Sequence, residues 1–288
     1  MQSFESAEEL LVAVRAARSA GRSIGFVPTM GFLHAGHLAL VNRARSETDF
    51  VAVSIYVNPA QFGPTEDFDR YPRDVERDRR LLSDAGVDAL FLPNDAAMYP
   101  GGPGGQSVWV DPGGVAAGLE GESRPGHFRG VATVVAKLFN MVQPDRAYFG
   151  QKDAQQVAVI RRMVRDLAYA IEIRVVETVR EPDGLALSSR NVLLDPARRG
   201  EAAELCRALN LGRKAFRHGE RSPSRVETLV VGHLNRAVRL GTIDYVRVAD
   251  PETMLPRADD IHEGDLLAMA VRFGPVRLID NVILNRGP

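Results

Sequence analysis

The chain has 288 residues, of which 45% are hydrophobic and 25% charged, so it can form one large or two medium domains with a substantial core. The formal net charge of −1 gives no reason to expect a nucleic-acid or membrane partner. The sequence shows neither a signal-peptide pattern nor an apolar run long enough to span a bilayer, and a single cysteine, Cys206, excludes an internal disulfide framework. We therefore expect a cytoplasmic protein.

In the first part of the chain, short β-branched apolar runs alternate with segments of helical spacing. The pattern predicts helices at 5–20, from about 37, at 71–85, at 131–142 and from after 153 to 167, and strands at 24–27, 50–57, 89–93, 108–110, 146–150 and 171–176. A basic, glycine-containing stretch at 121–130 is expected to be a flexible loop. The alternation up to residue 176 predicts an α/β fold with a doubly wound parallel sheet.

Beyond residue 178 the pattern changes. An irregular segment at 178–191 is followed by helices at about 196–217 and 223–239 and by strands at 243–248, 266–273 and 276–284. Helices followed by strands indicate a smaller α+β domain. We therefore expect one domain of residues 1–180 and a C-terminal domain of residues 181–288.

The first candidate site lies where strand 24–27 passes through a turn into a helix. His34 and His37 stand at the N-terminus of that helix, where unpaired N–H groups and the helix dipole attract phosphate oxygens. Gly31 and Gly36 allow a ligand to approach the backbone closely. For the isolated pair two other interpretations stay open: a metal site, which lacks an evident third ligand, and two ordinary loop histidines. The order of strand, glycine turn and helix favours a nucleoside triphosphate.

Three more loops carry polar side chains. Residues 58–63 and 150–153 each follow a predicted buried strand, and residues 187–190 end the irregular segment. Taken singly, Lys152 is also compatible with a surface position and 188–190 with a solvated turn. Taken together with the turn at 34–37, the loops at 150–153 and 187–190 supply the cations and N–H donors that adenylyl transfer needs, without a protein nucleophile.

The chain contains five motifs, which are in order along the sequence residues 27–31 with His34 and His37, 57–62, 124–130, 148–156 and 187–191. With this set the sequence resembles the pantothenate synthetase (pantoate–β-alanine ligase) family from about residue 24 to 194, and again at 277–281. The resemblance implies a Rossmann-like domain that binds ATP and pantoate, a C-terminal lid domain and a homodimer. It also implies a two-step reaction through pantoyl adenylate, which releases pyrophosphate and AMP, with Mg²⁺ accompanying ATP.

The resemblance also assigns roles to individual residues. Those expected to bind ATP are Met30, Gly31, Phe32, Leu33, His34, Ala35, Gly36, His37, Gly150, Gln151, Lys152, Asp153, Val179, Leu187, Ser188, Ser189 and Arg190. The expected catalytic residues are His37 as proton donor, His34 beside it, and Lys152 as a mobile charge at the phosphates. Gln61 and Gln156 are expected to bind pantoate, and Gln61 also β-alanine.

Some roles stay open. Asp153 suits either ribose hydroxyls or helix capping. Arg124 and His127 lie in the 121–130 loop, where either could fold over the intermediate. Neither the protein ligands of Mg²⁺ nor the base that deprotonates β-alanine is evident.

Two other functions compete with this one. Another nucleotidylyltransferase with a His-x-Gly-His motif shares the first motif but has no need for the glutamines at 61 and 156. A catalytically silent nucleotide-binding module has no need for both histidines together with Lys152 and Arg190. A nucleic-acid binder is disfavoured because the charge is nearly neutral and basic–aromatic stripes are lacking.

Overall fold

The structure is a computed structural model that describes residues 1–64 and 66–286. By its contacts the chain divides into two compact units. The first unit comprises residues 1–112, 124–150 and 159–177, and the second comprises residues 113–123, 151–158 and 178–288. The expected domain boundary at residue 180 stays a prediction, because a division by contacts does not test which part folds by itself.

The strands of the first unit form one sheet. They are β1 (Gln2–Phe4), β2 (Ile24–Thr29), β3 (Phe50–Ile55), β4 (Ala89–Phe91), β5 (Arg146–Gly150) and β6 (Glu172–Val176). All pairs are parallel and the order is β1-β4-β3-β2-β5-β6. The pairing of β2 with β3 ends at Thr29 and Ile55, so the loops that follow these strands start side by side. Because β3 is buried along its whole length, it fits a parallel sheet covered on both faces.

Helices cover both faces of this sheet. They are α1 (Ala7–Ser19), α2 (Ala35–Glu47), α3 (Val75–Asp84), α4 (Asp95–Met98) and later α6 (His127–Val142) and α7 (Ala154–Asp166), of which α7 has residues in both units. Phe26 of β2 contacts Phe139 of α6 edge to face, with ring centroids 6.5 Å apart. Its neighbour Val27 packs in a cluster with Leu40 and Val41 of α2. Consecutive strand residues point to opposite faces, so the predicted doubly wound sheet is confirmed.

The second unit contains α5 (Glu120–Ser123), α8 (Pro196–Ala202), α9 (Glu204–Arg217) and α10 (Pro223–Ala237), with strands β7 (Thr242–Ala249), β8 (Leu266–Phe273) and β9 (Val276–Ile283). The strands form an antiparallel sheet in the order β7-β8-β9, which confirms the predicted α+β arrangement. At Gly212 of α9 a Cβ would overlap Leu267 of β8 and lie 3.0 Å from Val230 of α10. Glycine there lets the three elements pack closely.

No helix in the described ranges is long and apolar enough to cross a membrane.

Two predictions of secondary structure between 108 and 130 are wrong. Residues 108–110 form no strand, because the N–H of Val110 donates to the Thr133 hydroxyl rather than to another strand. The expected flexible loop at 121–130 instead contains most of α5 and the start of α6. Gly126, at φ +82°, is the N-cap of α6, and a Cβ at Gly130 would overlap the backbone of Ala60. Glycine serves here as a helix start and a close contact, not as a loop signal.

Smaller differences concern helix ends and one missed strand. The helix predicted at 71–85 begins at Val75, because the carboxylate of Asp74 caps it by accepting from the N–H of Arg77. The helix predicted at 196–217 is interrupted at Ala203. The three-residue strand β1 is too short to give a recognisable periodicity.

Candidate active site

The turn between β2 and α2 has an unusual backbone that one buried carboxylate holds in place. Gly31 and Phe32 have φ values of +82° and +50°. Asp78 of α3, only 1% exposed, accepts the N–H of Phe32 at 2.6 Å and that of Leu33 at 2.8 Å. Burial raises the pKa of Asp78 above its usual value, although the two N–H donors act in the opposite direction. A Cβ at Gly31 would lie 2.8 Å from Ile55, so both the conformation and the space require glycine.

His34 and His37 cap the start of α2, and this capping determines which ring nitrogen faces away from the helix backbone. Nδ1 of His34 accepts the N–H of Gly36 at 3.1 Å, and Nδ1 of His37 accepts the N–H of His34 at 3.3 Å. A nitrogen that accepts carries no proton, so the neutral rings hold theirs on Nε2. The ring centroids are 4.1 Å apart, so the two imidazoles lie next to each other at a helix N-terminus. Neutral imidazoles with a proton on Nε2 can donate hydrogen bonds to phosphate oxygens.

Gln61 is held in a chain of buried hydrogen bonds that orients its side-chain amide. The hydroxyl of Tyr99 donates to Oδ1 of Asn58 at 2.8 Å, and Nδ2 of Asn58 donates to Oε1 of Gln61 at 3.1 Å. Burial raises the pKa of Tyr99 to about 12, so this hydroxyl remains a donor. Because Oε1 of Gln61 faces Asn58, its NH₂ group points toward Met30, with Nε2 3.2 Å from the sulfur. An NH₂ group in this position suits a carboxylate or hydroxyl oxygen of a substrate.

This orientation yields a prediction for Gln61. If Gln61 binds pantoate as the resemblance implies, both Gln61→Ala and Gln61→Glu should raise the KM for pantoate about tenfold or more, because each variant lacks the NH₂ donors of the amide. ATP affinity should stay within about twofold, because no phosphate-binding N–H group is changed. Steady-state kinetics in pantoate and calorimetric titration of ATP measure the two effects. If Gln61→Glu keeps the wild-type KM, or if ATP binding falls equally, the side chain has another role.

Arg124 and His127, whose roles the sequence left open, support the backbone of this glutamine. The guanidinium always donates, so Nε2 of His127 accepts from Arg124 at 2.9 Å and its Nδ1–H donates to the carbonyl of Gln61 at 2.8 Å. Arg124 also makes two 2.7 Å hydrogen bonds to Glu66. Burial alone would raise the pKa of Glu66, but these bonds outweigh it and the pKa lies below its usual value. The residues thus form a rigid support behind Gln61.

In the second unit, Lys152 occupies a short 3₁₀ turn, Gln151–Asp153, at the start of α7. Its side chain is 20% exposed, and Nζ lies 4.0 Å from a carboxylate oxygen of Asp153. Gln155 and Gln156, adjacent on α7, face different surroundings. The amide of Gln155 is buried and binds the backbone of residues 115, 118 and 120, whereas Gln156 is partly exposed. Of these two glutamines, only Gln156 has a side chain with exposed surface, and its expected role stays a prediction.

The irregular segment after β6 is a small hairpin that brings Val179 and Leu187 together. The N–H of Leu187 donates to the carbonyl of Val179 at 3.0 Å, and Arg180 and Ala186 form an isolated antiparallel bridge. The hairpin leads into the 188–190 turn, where the hydroxyl of Ser188 accepts the N–H of Arg190 at 3.2 Å. Ser189 is buried, at 7% exposure. Val179 and the predicted triphosphate loop are thus parts of one ordered segment.

The predicted site residues fall into two groups, one in each unit. The first unit holds Met30 to His37, Gln61 and Gly150, and the second holds Gln151, Lys152, Asp153, Gln156, Val179, Leu187, Ser188, Ser189 and Arg190. Sequence reasoning missed the contributions of Asn58, Tyr99 and Asp78. Asn58 lies in the 57–62 motif. The sequence around Tyr99 and Asp78 does not indicate their roles, because their hydrogen-bond partners are 41 and at least 45 residues away.

Among residues 1–64 and 66–286, no group of three or more His, Cys, Asp and Glu side chains could hold a metal ion. Mg²⁺ commonly binds nucleotide phosphates and water with only one or two carboxylates. The residues present therefore identify no protein ligand for Mg²⁺.

A six-stranded parallel sheet, covered on both faces and with a His-x-Gly-His turn after its second strand in sequence, defines a Rossmann-like α/β protein. Comparison with known proteins narrows this class. Residues 2–283 match the family model described as pantoate-beta-alanine ligase. The pantothenate synthetase of Pelotomaculum thermopropionicum is 54% identical over 278 residues, which cover 96% of this chain and 97% of that protein. The chain therefore belongs to the pantoate–β-alanine ligase family, a family of enzymes.

Solved structures agree. The pantothenate synthetase of Thermus thermophilus is 50% identical, with a TM-score of 0.92 and coverage of 99% of this chain and 100% of that one. The pantoate–β-alanine ligase of Francisella tularensis, complexed with beta-gamma ATP and β-alanine, is 33% identical with a TM-score of 0.80. That alignment covers 98% of this chain and 97% of that one. The whole fold, and not only the sheet, is therefore that of the family.

Proposed function

We propose that the chain condenses (R)-pantoate with β-alanine in two ATP-dependent steps through pantoyl adenylate. In the first step a carboxylate oxygen of pantoate attacks the α-phosphorus of ATP, the bond to the β-phosphate oxygen breaks, and pyrophosphate leaves. In the second step the amine of β-alanine attacks the acyl carbon. The bond from that carbon to the AMP oxygen then breaks, the nitrogen loses a proton, and pantothenate and AMP result.

The observation that carries this proposal is the paired histidine cap on α2. Both Nδ1 atoms accept backbone N–H groups, so both rings can offer an Nε2–H to the phosphates at a site where the helix dipole also favours negative charge. As charge grows on the leaving pyrophosphate, these donors stabilise the transition state more than bound ATP. His37 is the residue we assign as proton donor, acting through a hydrogen bond from its Nε2–H to the phosphates, with His34 beside it.

The other assignments follow the chemistry of each group. Lys152 carries a compact, movable charge that can follow the phosphoryl group during transfer. Gly150, where an added Cβ would meet no described atom within 4 Å, has no packing reason to be glycine, which supports close approach of the nucleotide. Gln61 and Gln156 bind pantoate, and Gln61 also β-alanine. The remaining nucleotide contacts are those named above for residues 30–37, 150–153, 179 and 187–190.

Mg²⁺ would enter with the ATP phosphates and offset their charge, and we assign it no protein ligand. The homodimer implied by the resemblance and the cytoplasmic location inferred from composition stay predictions. Sedimentation of the purified chain would test the first. Neither bears on the chemistry proposed above.

The test is pantoate-dependent exchange between ATP and labelled pyrophosphate, with Mg²⁺ present and β-alanine absent. We expect exchange only with pantoate, and stoichiometric AMP and pantothenate once β-alanine is added. Exchange that needs another acid, or a product that retains the nucleotide, would instead indicate a different nucleotidylyltransferase. Binding of ATP without any turnover would indicate a silent module.

A further inference from the structure

The motif at 277–281 has no role in the reaction described so far, although it ends in two buried polar residues. Asp280 and Asn281 lie on β9, an edge strand of the second unit, and are 2% and 5% exposed. Asn281 is paired with Ala268 of β8 across the ladder. A buried amide needs partners for two donors and an acceptor, so its contacts are informative.

All of these partners belong to the turn that carries Lys152. Nδ2 of Asn281 donates to the carbonyl of Gln151 at 3.0 Å and to that of Lys152 at 2.8 Å. Oδ1 accepts from the side-chain amide of Gln151 at 3.1 Å. Since both carbonyls can only accept, the orientation of the Asn281 amide is determined. Both of its N–H donors are paired, and its oxygen accepts one hydrogen bond.

These bonds restrain the direction of the Lys152 side chain. The carbonyl of Gln151 belongs to the peptide plane before the Cα of Lys152, and the carbonyl of Lys152 belongs to the plane after it. Holding both planes restricts the two backbone dihedrals of this residue, and these dihedrals set where its Cβ points.

Asn281 is itself held rigidly. Its N–H donates to Asp280 at 2.8 Å, and the carboxylate of Asp280 accepts two hydrogen bonds from Arg180, at 2.6 and 2.9 Å. Arg180 lies in the hairpin that contains Val179. The Lys152 turn is therefore bound to a strand residue that is held by a partly buried ion pair, in which Arg180 is 24% exposed and Asp280 2% exposed.

We propose that Asn281 is a positioning residue that acts through Lys152. The proposal rests on the function proposed above, because the effect on rate arises only if Lys152 works at the phosphates. Asparagine is required because the site needs two donors and one acceptor on a short side chain. Aspartate has the same shape but, when ionised, can only accept.

Two substitutions test this requirement. Asn281→Ala removes the bonds, and Asn281→Asp places oxygen against two carbonyls. We expect each to lower kcat for adenylation about 10- to 100-fold, as misplacement of a catalytic group by about 1 Å does, with the KM for pantoate within about twofold. Asn281→Asp should be at least as damaging as Asn281→Ala. A wild-type rate in Asn281→Asp would overturn the proposal, because shape alone would then suffice.

A double-mutant cycle separates positioning from general loss of structure. In the Lys152→Ala background, Asn281→Ala should cost less than about a further twofold, because the group it positions is already absent. The matched control is Asp265→Asn, which breaks another buried pair of the same unit, with Arg257, and should act additively with Lys152→Ala. Full additivity for Asn281→Ala would overturn the proposal.

A third readout does not depend on turnover. The chain has only three lysines, at 137, 152 and 214. Acetylation by acetic anhydride, followed by mass spectrometry, should show faster modification of Lys152 relative to Lys214 in Asn281→Ala than in wild type. An unchanged ratio overturns the positioning role even if the protein catalyses another reaction. Absence of pantoate-dependent exchange in wild type, with a changed ratio, would refute the proposed function alone.

Discussion

Lys152→Ala is expected to lower the single-turnover rate of pantoyl adenylate formation by more than about 100-fold. The ammonium is a compact charge on a flexible stem, so it can follow the phosphoryl group as the bond to pyrophosphate lengthens. Because this interaction strengthens in the transition state, ATP affinity should change much less than the rate. Rapid quench with excess enzyme measures the rate, and equilibrium titration measures ATP binding.

The control for this experiment is Lys214→Ala, which removes an exposed lysine of α9 and should react at the wild-type rate. Lys152→Arg should recover only part of the activity, because a planar guanidinium retains charge but not shape. Adenylate formation at the wild-type rate in Lys152→Ala would remove this residue from the chemistry. A loss confined to ATP affinity would make it a ground-state binding residue.

His37 offers a sharper test, because its two ring nitrogens have separate functions. Nδ1 caps α2, whereas Nε2 is the proposed donor to the phosphates. His37→Asn places an amide oxygen near the position of Nδ1 but nothing at that of Nε2. We expect the variant to retain the thermal stability of wild type and to lose more than about 100-fold in adenylation rate.

His37→Gln provides the complementary change, since its amide reaches the position of Nε2. Partial recovery relative to His37→Asn would indicate that a hydrogen-bond donor at this position suffices, whereas equal loss would indicate that the imidazole itself is required. His218→Ala, at an exposed histidine just after α9, is the control and should be fully active. Adenylation at the wild-type rate in His37→Asn would refute the catalytic role of Nε2. Unfolding of His37→Asn at lower temperature would show that the cap was not preserved.

The elements that were predicted well are those whose signal is local. The strands predicted at 24–27 and 50–57 are short apolar runs rich in β-branched residues, and the helices of the second unit have apolar residues at helical spacing. Residues 108–110 show the limit of this signal, because an apolar extended segment has the same pattern whether or not a strand lies beside it. In this segment the N–H of Val110 donates to the hydroxyl of Thr133 in α6, and not to a neighbouring strand.

The candidate site divides in the same way. The residue types of the His-x-Gly-His turn and of the 150–153 turn are recognisable without coordinates, since few other chemistries need them in that order. The residues that hold these turns in place cannot be recognised from the sequence. In the sequence, Asp78 is one of several charged residues on a predicted helix. Only the structure shows that its carboxylate accepts the N–H groups of Phe32 and Leu33. Glycine at 130, which resembled a loop residue, lies in α6, where the backbone of Ala60 approaches too closely to leave room for a Cβ.

By itself, the sequence determined the order of strands and helices, the parallel sheet and the residue types available for phosphate chemistry, because periodicity and turn chemistry act over a few neighbouring residues. Only the tertiary structure decided how those residues are held. Asn58, which accepts from Tyr99, orients the amide of Gln61, and Asn281 donates a hydrogen bond to the carbonyl of Lys152, 129 residues away in the chain. Hydrogen bonds between distant segments depend on strand register and on the packing of whole elements, neither of which a local pattern contains.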